Sequence, residues 1–364
     1  MSKKSTISHV PVGNGDMTLI KIASGDSFYT VLVDMNIRDS ASDDDEQCDA
    51  LSALHGLLEK DETGRPYVDV LLLTHPDQDH IRGFNEHFFR GKPEDYVSPK
   101  AGELHKIFVC EIWSSPLVFR RKSINFPLCQ DAVDFNAEAR RRVKLYRECR
   151  RIGEEGNRIR IIGEDENNKN DDIKEIVYKT DSVISKLNEV NIQELGTTVL
   201  GPLSDDEFGD DVEHDKNRSS IIMKWAIASH GYTNANNHIL LGGDAGVVVW
   251  ETLWDKYLYK PDIFQYDLLV APHHCSWHTL SHDSFKESDD PKVSTKAKSA
   301  LGQVKQGGVV VSSSNEIKNN DNDPPNHKAK EEYKSIVAPV SGIFRCLADH
   351  KPCLLYTSPS PRDS

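Results

Sequence analysis

The residues best placed to do chemistry are His75, Asp77, Asp79 and His80, four potential metal ligands in the run His75-Pro76-Asp77-Gln78-Asp79-His80. They follow residues 68–73, an apolar run interrupted only by Asp69, which reads as a buried strand. A strand end passing into a loop lets alternate side chains converge on one point. Imidazole and carboxylate together suit borderline divalent cations such as Zn²⁺, Mn²⁺ or Fe²⁺. Four donors of mixed type can serve two ions rather than one. Gly242-Gly243-Asp244 follows a second strand directly. A lone Asp there is usually a turn or helix-cap residue, but a carboxylate can also bridge two cations about 3.5–4 Å apart. His273-His274 follows a third strand, and one of the pair could complete a second metal site. Cys275, His278 and His282 come next; the spacing of His274, His278 and His282 by four fits a solvated helix face, so the last two are not taken as ligands.

The elements that must position these groups can be read from patterning. Residues 7–36 form a hairpin whose turn is Gly25-Asp26. Residues 41–46 are an acidic loop, 50–58 carry helical spacing, and Gly64-Arg65-Pro66 breaks the chain. Strands are expected at 68–73, 106–113, 158–162, 197–200, 219–227, 238–241, 266–270 and 309–312. Helices are expected at 132–152 and 328–336, and polar loops at 165–172 and 205–215. No internal repeat is present. Strands and helices in two halves, with polar residues at strand ends, predict a layered α/β sandwich.

Composition bounds the rest. A chain of 364 residues can bury most of its surface and needs no staple simply to fold. No stretch approaches 18 consecutive apolar residues, so a transmembrane helix is excluded. The first ten residues have no apolar core, so no secretory signal is expected. Seven cysteines without a CxxC pair suggest reduced thiols and a cytoplasmic setting. A net charge of −14 excludes a uniformly basic nucleic-acid binder, though not a local basic patch. Residues 353–363 read as the in-frame translation of a sequencing adapter, so 353–364 is set aside as a non-native tail, with the natural chain cut near Pro352.

The motif set resembles the metallo-β-lactamase fold superfamily of hydrolases, whose signature is His-x-His-x-Asp-His followed by an Asp and a His on later strand ends. Here Asp77 stands at the second His, a variant that resembles the competence-type (ComEC-like) soluble hydrolase branch. Gly13-Asn14-Gly15-Asp16, Leu32-Val33-Asp34, Asn217-x-Ser219-Ser220, Pro272-His273-His274-Cys275-Ser276, and Val310-Val311-Ser312 to Asn315 with His327 beyond are similar to other elements of that branch. The chain departs from it at Asn14 for Gln, at Cys275 for Gly, and in lacking the third-motif His, near which stand Asn217, Ser219 and Ser220.

The resemblance implies a four-layer αββα metallo-β-lactamase-like sandwich over residues 1–340, with 91–200 an inserted segment or cap. It implies two divalent metal ions, Zn²⁺ or Mn²⁺. His75 and Asp77 would hold one; Asp79, His80 and His273 or His274 the other; Asp244 would bridge them. Asp79 and Asp244 are the expected catalytic residues. Asp16, Asp34, Asn217, Ser219 and His327 are expected to support the ligands or to assist them. Asp in place of a neutral imidazole makes the site harder, favouring Mn²⁺ or a mixed preference.

The function expected is a metal-dependent phosphodiesterase or nuclease acting on nucleic acid or nucleotide. Arg120, Arg121, Lys122, Arg140, Arg141, Arg142, Lys144, Arg147, Arg150 and Arg151 form a basic cluster that could neutralise phosphates, or simply be a solvated helix face. The alternatives are a hydrolase of carbon esters, lactones or lactams, and a non-catalytic metal-binding accessory subunit. Fold alone does not choose among them.

Overall fold

The computed structural model describes residues 3–38, 48–115, 127–163, 170–204, 207–208, 216–229, 235–349 and 356–358. Its strands read as near-continuous apolar runs because they are covered on both faces. Along one strand Val31 and Val33 face the second sheet while Leu32 faces the helices; on its neighbour Val70 and Leu72 face in and Leu71 out. This is the two-residue strand period expressed in a layer with no solvated side.

The first sheet runs in the order Tyr356–Ser358, Thr6–His9, Thr18–Ser24, Ser27–Val33, Tyr67–Leu73, Phe108–Ser114, Arg158–Ile162, Val177–Tyr178. The second runs Ile343–Cys346, Val304–Ser312, Tyr266–Val270, Ala235–Leu241, Ile222–Ala228, Leu195–Gly201, Val183–Ile184. Each sheet is part antiparallel and part parallel. Between them lies an apolar layer in which the Trp113 and Trp225 rings stack with centroids 6.0 Å apart. Outside the first sheet pack Leu54 of helix Ala50–Leu57 and Phe135 and Ala139 of helix Gln130–Cys149. Outside the second pack Trp250 and Leu253 of Val247–Lys256, Leu301 of Thr295–Leu301 and Tyr333 of His327–Val337. The result is a four-layer α/β sandwich.

Several expectations are corrected. Segment 91–200 supplies Phe108–Ser114, Arg158–Ile162 and Val177–Tyr178 to one sheet and Val183–Ile184 and Leu195–Gly201 to the other. The strand expected from 219 begins at Ile222, because Lys216–Ser219 form a tight helical turn. The strand expected at 309–312 starts at Val304, and Ile343–Cys346 extends the sheet beyond it. Helices Val247–Lys256 and Thr295–Leu301 were not expected. Among the described residues Cys110, Cys129, Cys149, Cys275 and Cys346 are free thiols. No described helix is long and apolar enough to cross a membrane. The acidic loop at 41–46, most of 205–215, Arg120, Arg121, Lys122 and the tail apart from 356–358 lie outside the described residues.

Candidate metal centre

Parallel pairing puts the ends of the central strands on one side of the molecule. Ser27–Val33 runs out at Asp34, Tyr67–Leu73 at Thr74-His75, Ala235–Leu241 at Gly242-Gly243-Asp244, Tyr266–Val270 at Ala271-Pro272-His273, and Val304–Ser312 at Ser313. The two sheets meet there: His80 Nε2 lies 3.2 Å from His274 Nε2, across 194 positions of sequence.

Asp244 is the hub. Its Oδ1 lies 3.1 Å from His80 Nε2 and 3.6 Å from His274 Nε2; its Oδ2 lies 3.4 Å from His75 Nε2 and 3.7 Å from His273 Nε2. Asp79 Oδ2 is 3.2 Å from His274 Nε2, and Asp77 Oδ2 is 3.9 Å from His75 Nε2. Asp16 Oδ2 and Oδ1 stand 4.0 and 3.9 Å from the Nδ1 atoms of His80 and His274. Asp16, His80, Asp244 and His274 are all buried, and one donor atom from each fits within 4.8 Å of the others.

The hydrogen bonds behind the ligand set decide its chemistry. Asp34 accepts from the Thr74 amide at 2.7 Å, from the Thr74 hydroxyl at 2.6 Å and from His80 Nδ1 at 2.8 Å. With its proton committed to Asp34, the Thr74 oxygen accepts from His75 Nδ1 at 3.1 Å. His274 Nδ1 donates to the Ser313 carbonyl at 3.1 Å. These partners assign the tautomers: in each neutral ring Nδ1 carries the proton and Nε2 is a bare lone pair. Three lone pairs and a carboxylate therefore converge with no proton between them. His75 Nε2 has no hydrogen-bond partner and is fully buried. Such a set is stable around a cation or around extra protons.

The spacing fits a cation. Tetrahedral coordination with bonds of about 2.0–2.1 Å puts neighbouring donors roughly 3.3 Å apart. The pairs His80–Asp244, His80–His274, Asp79–His274 and His75–Asp244 lie between 3.1 and 3.4 Å. The group could hold a divalent ion.

Without a cation, protons take that place. Burial opposes charge on His80, but Asp244 and Asp34 overcome it and push the imidazole well above its ordinary value. Burial also opposes charge on His274, and Asp244 and Asp79 raise it nonetheless. On the other side of the pair, burial disfavours the Asp244 carboxylate, yet His80 and the three other imidazoles hold it well below the usual range. Asp79 is likewise lowered, burial being outweighed by its bond to His274 and the charge of His80. Burial dominates at Asp16, which is raised, and at His273, which is lowered.

The backbone around the site is specialised. A Cβ on Gly15 would meet the Asp79 carbonyl at 2.6 Å, so only glycine lets the 13–16 loop approach so closely. Ser313 Oγ donates to the Gly15 carbonyl at 2.6 Å, and Asn14 Oδ1 accepts from the Asn315 amide at 2.9 Å, tying that loop to the second sheet. His273, His274 and Cys275 form a left-handed turn with φ of 51, 52 and 67°. Cys275 thus holds a left-handed conformation that favours glycine, at a cost of about 1–2 kcal/mol.

The structure brings His75, Asp77, Asp79, His80, Asp244, His273 and His274 together, with Asp16 and Asp34 against them. Asn217 and Ser219 lie in the buried turn beneath Asp244, whose amide donates to the adjoining Ser220 Oγ at 3.2 Å. His327 is placed elsewhere: it opens a helix and packs edge-on against Phe285. His278 and His282 are more than half exposed and face Asp323 and Glu251. Thr74 and the Ser313 carbonyl, which orient the rings, were not singled out from sequence. The placement of Thr74 directly before His75 was the available signal.

Three members of the basic cluster are tied up in ion pairs or in the fold. Arg142 is buried, bonded to Glu138 and to the carbonyls of Val109, Cys110 and Arg158. Arg141 makes two bonds to Glu138, and Arg147 is paired with Asp172. Asp131, at the helix start, caps the 83–85 turn just after His80. Arg147 lies sixteen residues further along, about 24 Å away at 1.5 Å per residue.

No family model and no curated protein sequence matches this chain. Among solved structures it is similar to the metallo-beta-lactamase fold protein YhfI from Bacillus subtilis, with 14% identity, a TM-score of 0.38, and coverage of 98% of this chain and 100% of that one. It is also similar to unliganded yeast PDE1, with 12% identity, a TM-score of 0.38, and coverage of 94% and 97%. A third is a protein of unknown function from Enterococcus faecalis V583, with 13% identity and a TM-score of 0.33; the match covers 83% of this chain and 56% of that one. Likenesses this distant assign no activity and no residue role.

Proposed function

We propose that this protein is a metal-dependent hydrolase of the metallo-β-lactamase-like fold that activates water at a dinuclear centre, with phosphodiesters of nucleotides or nucleic acid as its substrate class. The observation that carries the reading is Asp244, whose two carboxylate oxygens each face a separate pair of imidazole nitrogens. His75, Asp77, Asp79, His80, Asp244, His273 and His274 would hold two divalent ions, Zn²⁺ or Mn²⁺. Those ions would supply Lewis acidity, bringing the pKa of water towards ~7 and offsetting charge on a phosphoryl group. Three aspartates (77, 79 and 244) among four histidines make a hard donor set, which suits phosphoryl oxygens and favours Mn²⁺ over strict zinc selectivity.

The chain's own groups do the rest. Asp79, held below the usual carboxylate range, stays ionised at working pH. With Oδ2 on His274, its other oxygen is free to accept a hydrogen bond from water and aim it. Asp34 and Ser313 hold the His80 and His274 rings through Nδ1, so neither can flip. The competence-type resemblance supports the phosphodiester choice. The basic helix adds little support, since Arg141 and Arg142 are paired with Glu138 and Arg147 with Asp172.

The test is hydrolysis of bis-p-nitrophenyl phosphate by metal-stripped protein with Mn²⁺ or Zn²⁺ restored. Turnover that requires metal and falls at least 100-fold in Asp79→Ala is expected. Absence of turnover with two ions bound would overturn the phosphodiesterase reading, and parallel hydrolysis of p-nitrophenyl acetate would redirect it to carbon esters.

A further inference from the structure

We infer that the adjacent histidines serve different ions: His274 belongs with Asp79 and His80, while His273 belongs with His75 and replaces the imidazole that the 217–220 segment lacks. This rests on the dinuclear reading above and goes beyond it, because the sequence placed either histidine in the second site alone.

Three observations support the division. First, Asp244 sorts the rings by oxygen. His80 and His274 face Oδ1, whereas His75 and His273 face Oδ2. Second, the backbone makes the sorting possible. Successive left-handed residues turn the two side chains apart, with ring centroids 6.1 Å distant and planes at 73°. Two neighbours pointing the same way would crowd one ion. Third, the side of Asp244 next to residues 217–220 is filled. Ser220 Oγ there accepts the Asp244 amide, and Gly243 packs so closely that a Cβ would lie 3.0 Å from Thr74.

The half-sites are unequal. Donors around Oδ1 are spaced 3.1–3.6 Å. Those around Oδ2 are spaced 3.4–3.9 Å, and Asp77 is the most distant. The half-site of His75 and His273 therefore loads second and more weakly. His273 is 20% exposed, which leaves that half-site open at the rim.

Metal content decides the matter without reference to turnover. Stripped protein is titrated with Zn²⁺ against a chromophoric chelator, and bound metal is counted by mass spectrometry. Wild type should hold two ions in two steps at least tenfold apart. His273→Asn, chosen because Asn tolerates the left-handed backbone, should lose the weak step and keep the tight one within twofold. His274→Asn should weaken the tight step at least 100-fold. His278→Asn should match wild type, and near-UV circular dichroism should confirm that each variant is folded. Loss of the tight step in His273→Asn, two unchanged steps in that variant, two steps of equal affinity in wild type, or a single ion in wild type would each overturn the inference. Wild type holding no ion would overturn this inference and the function above together. Two ions sorted as stated but no hydrolysis would leave the inference standing and sink the function alone.

Discussion

At the residue scale, orientation of the ligands depends on side chains that cannot themselves touch an ion. Asp34 is the clearest case. Both its oxygens are committed to donors, Oδ1 to the Thr74 amide and Oδ2 to the Thr74 hydroxyl and His80 Nδ1. An amide at this position can accept on one side only, so Asp34→Asn faces a buried donor with a donor. The conflict should cost about 1–3 kcal/mol of stability. It should also release the His80 ring and weaken Zn²⁺ binding about 10–100-fold, as loss of such supporting partners typically does. Chelator competition on the purified variant measures this; unchanged affinity would show that Asp34 does not orient His80. Patterning alone shows this residue as a carboxylate at a strand end, and the resemblance implies that it supports a ligand; which partners it holds needed Thr74 and His80 brought to it from 40 and 46 positions away.

At the element scale, the strands that carry the site were legible because they are apolar runs ending in polar clusters. Tyr266–Val270 and Arg158–Ile162 fall where patterning puts them. The misses have local causes. Val247–Lys256 opens Val-Val-Val-Trp, a strand-like composition that tertiary packing of Trp250 and Leu253 overrides. Val304–Ser312 contains Gly307-Gly308, which reads as a turn although the strand passes through it. The apolar strand Tyr67–Leu73 was interrupted by Asp69, and the structure shows why it is tolerated. Its carboxylate accepts from the Thr30 amide at 2.8 Å and hydroxyl at 2.9 Å, pinning two neighbouring strands. Burial pushes Asp69 up to about 6 from 3.8, against those bonds. A carboxyl raised on folding binds its proton more tightly in the native state, so stability falls as pH rises from about 3.8 through 6. The full loss is on the order of 3 kcal/mol. Asp69→Asn should flatten the dependence between pH 4 and 7, measured by urea unfolding at several pH values. A variant with the wild-type slope would show that Asp69 does not titrate there.

At the scale of the whole molecule, the centre joins the two sheets, so its charge state feeds into global stability. His80 and His274 are raised on folding from an ordinary 6.5. Their contribution is fully present below pH 6.5 and is lost as pH climbs through the folded values. Asp79 and Asp244 are depressed from 3.8, so their contribution is present above that pH and lost as it falls. The centre's own contribution should therefore be greatest between about pH 4 and 6.5, and metal-free protein should melt at progressively lower temperature from pH 6.5 to 8.5. A divalent ion replaces the ring protons that are lost over this range. Added Zn²⁺ should then raise Tm more at pH 8 than at pH 6, since binding to the native state alone stabilises by mass action. Thermal melts followed by tryptophan fluorescence, with Trp113 and Trp225 stacked between the sheets as reporters, test both statements. A metal-free Tm that climbs from pH 6.5 to 8.5 would mean that the imidazoles enter the folded protein uncharged. In that case the proton-for-metal exchange argued from the convergence of His75, His80 and His274 on Asp244 would fail.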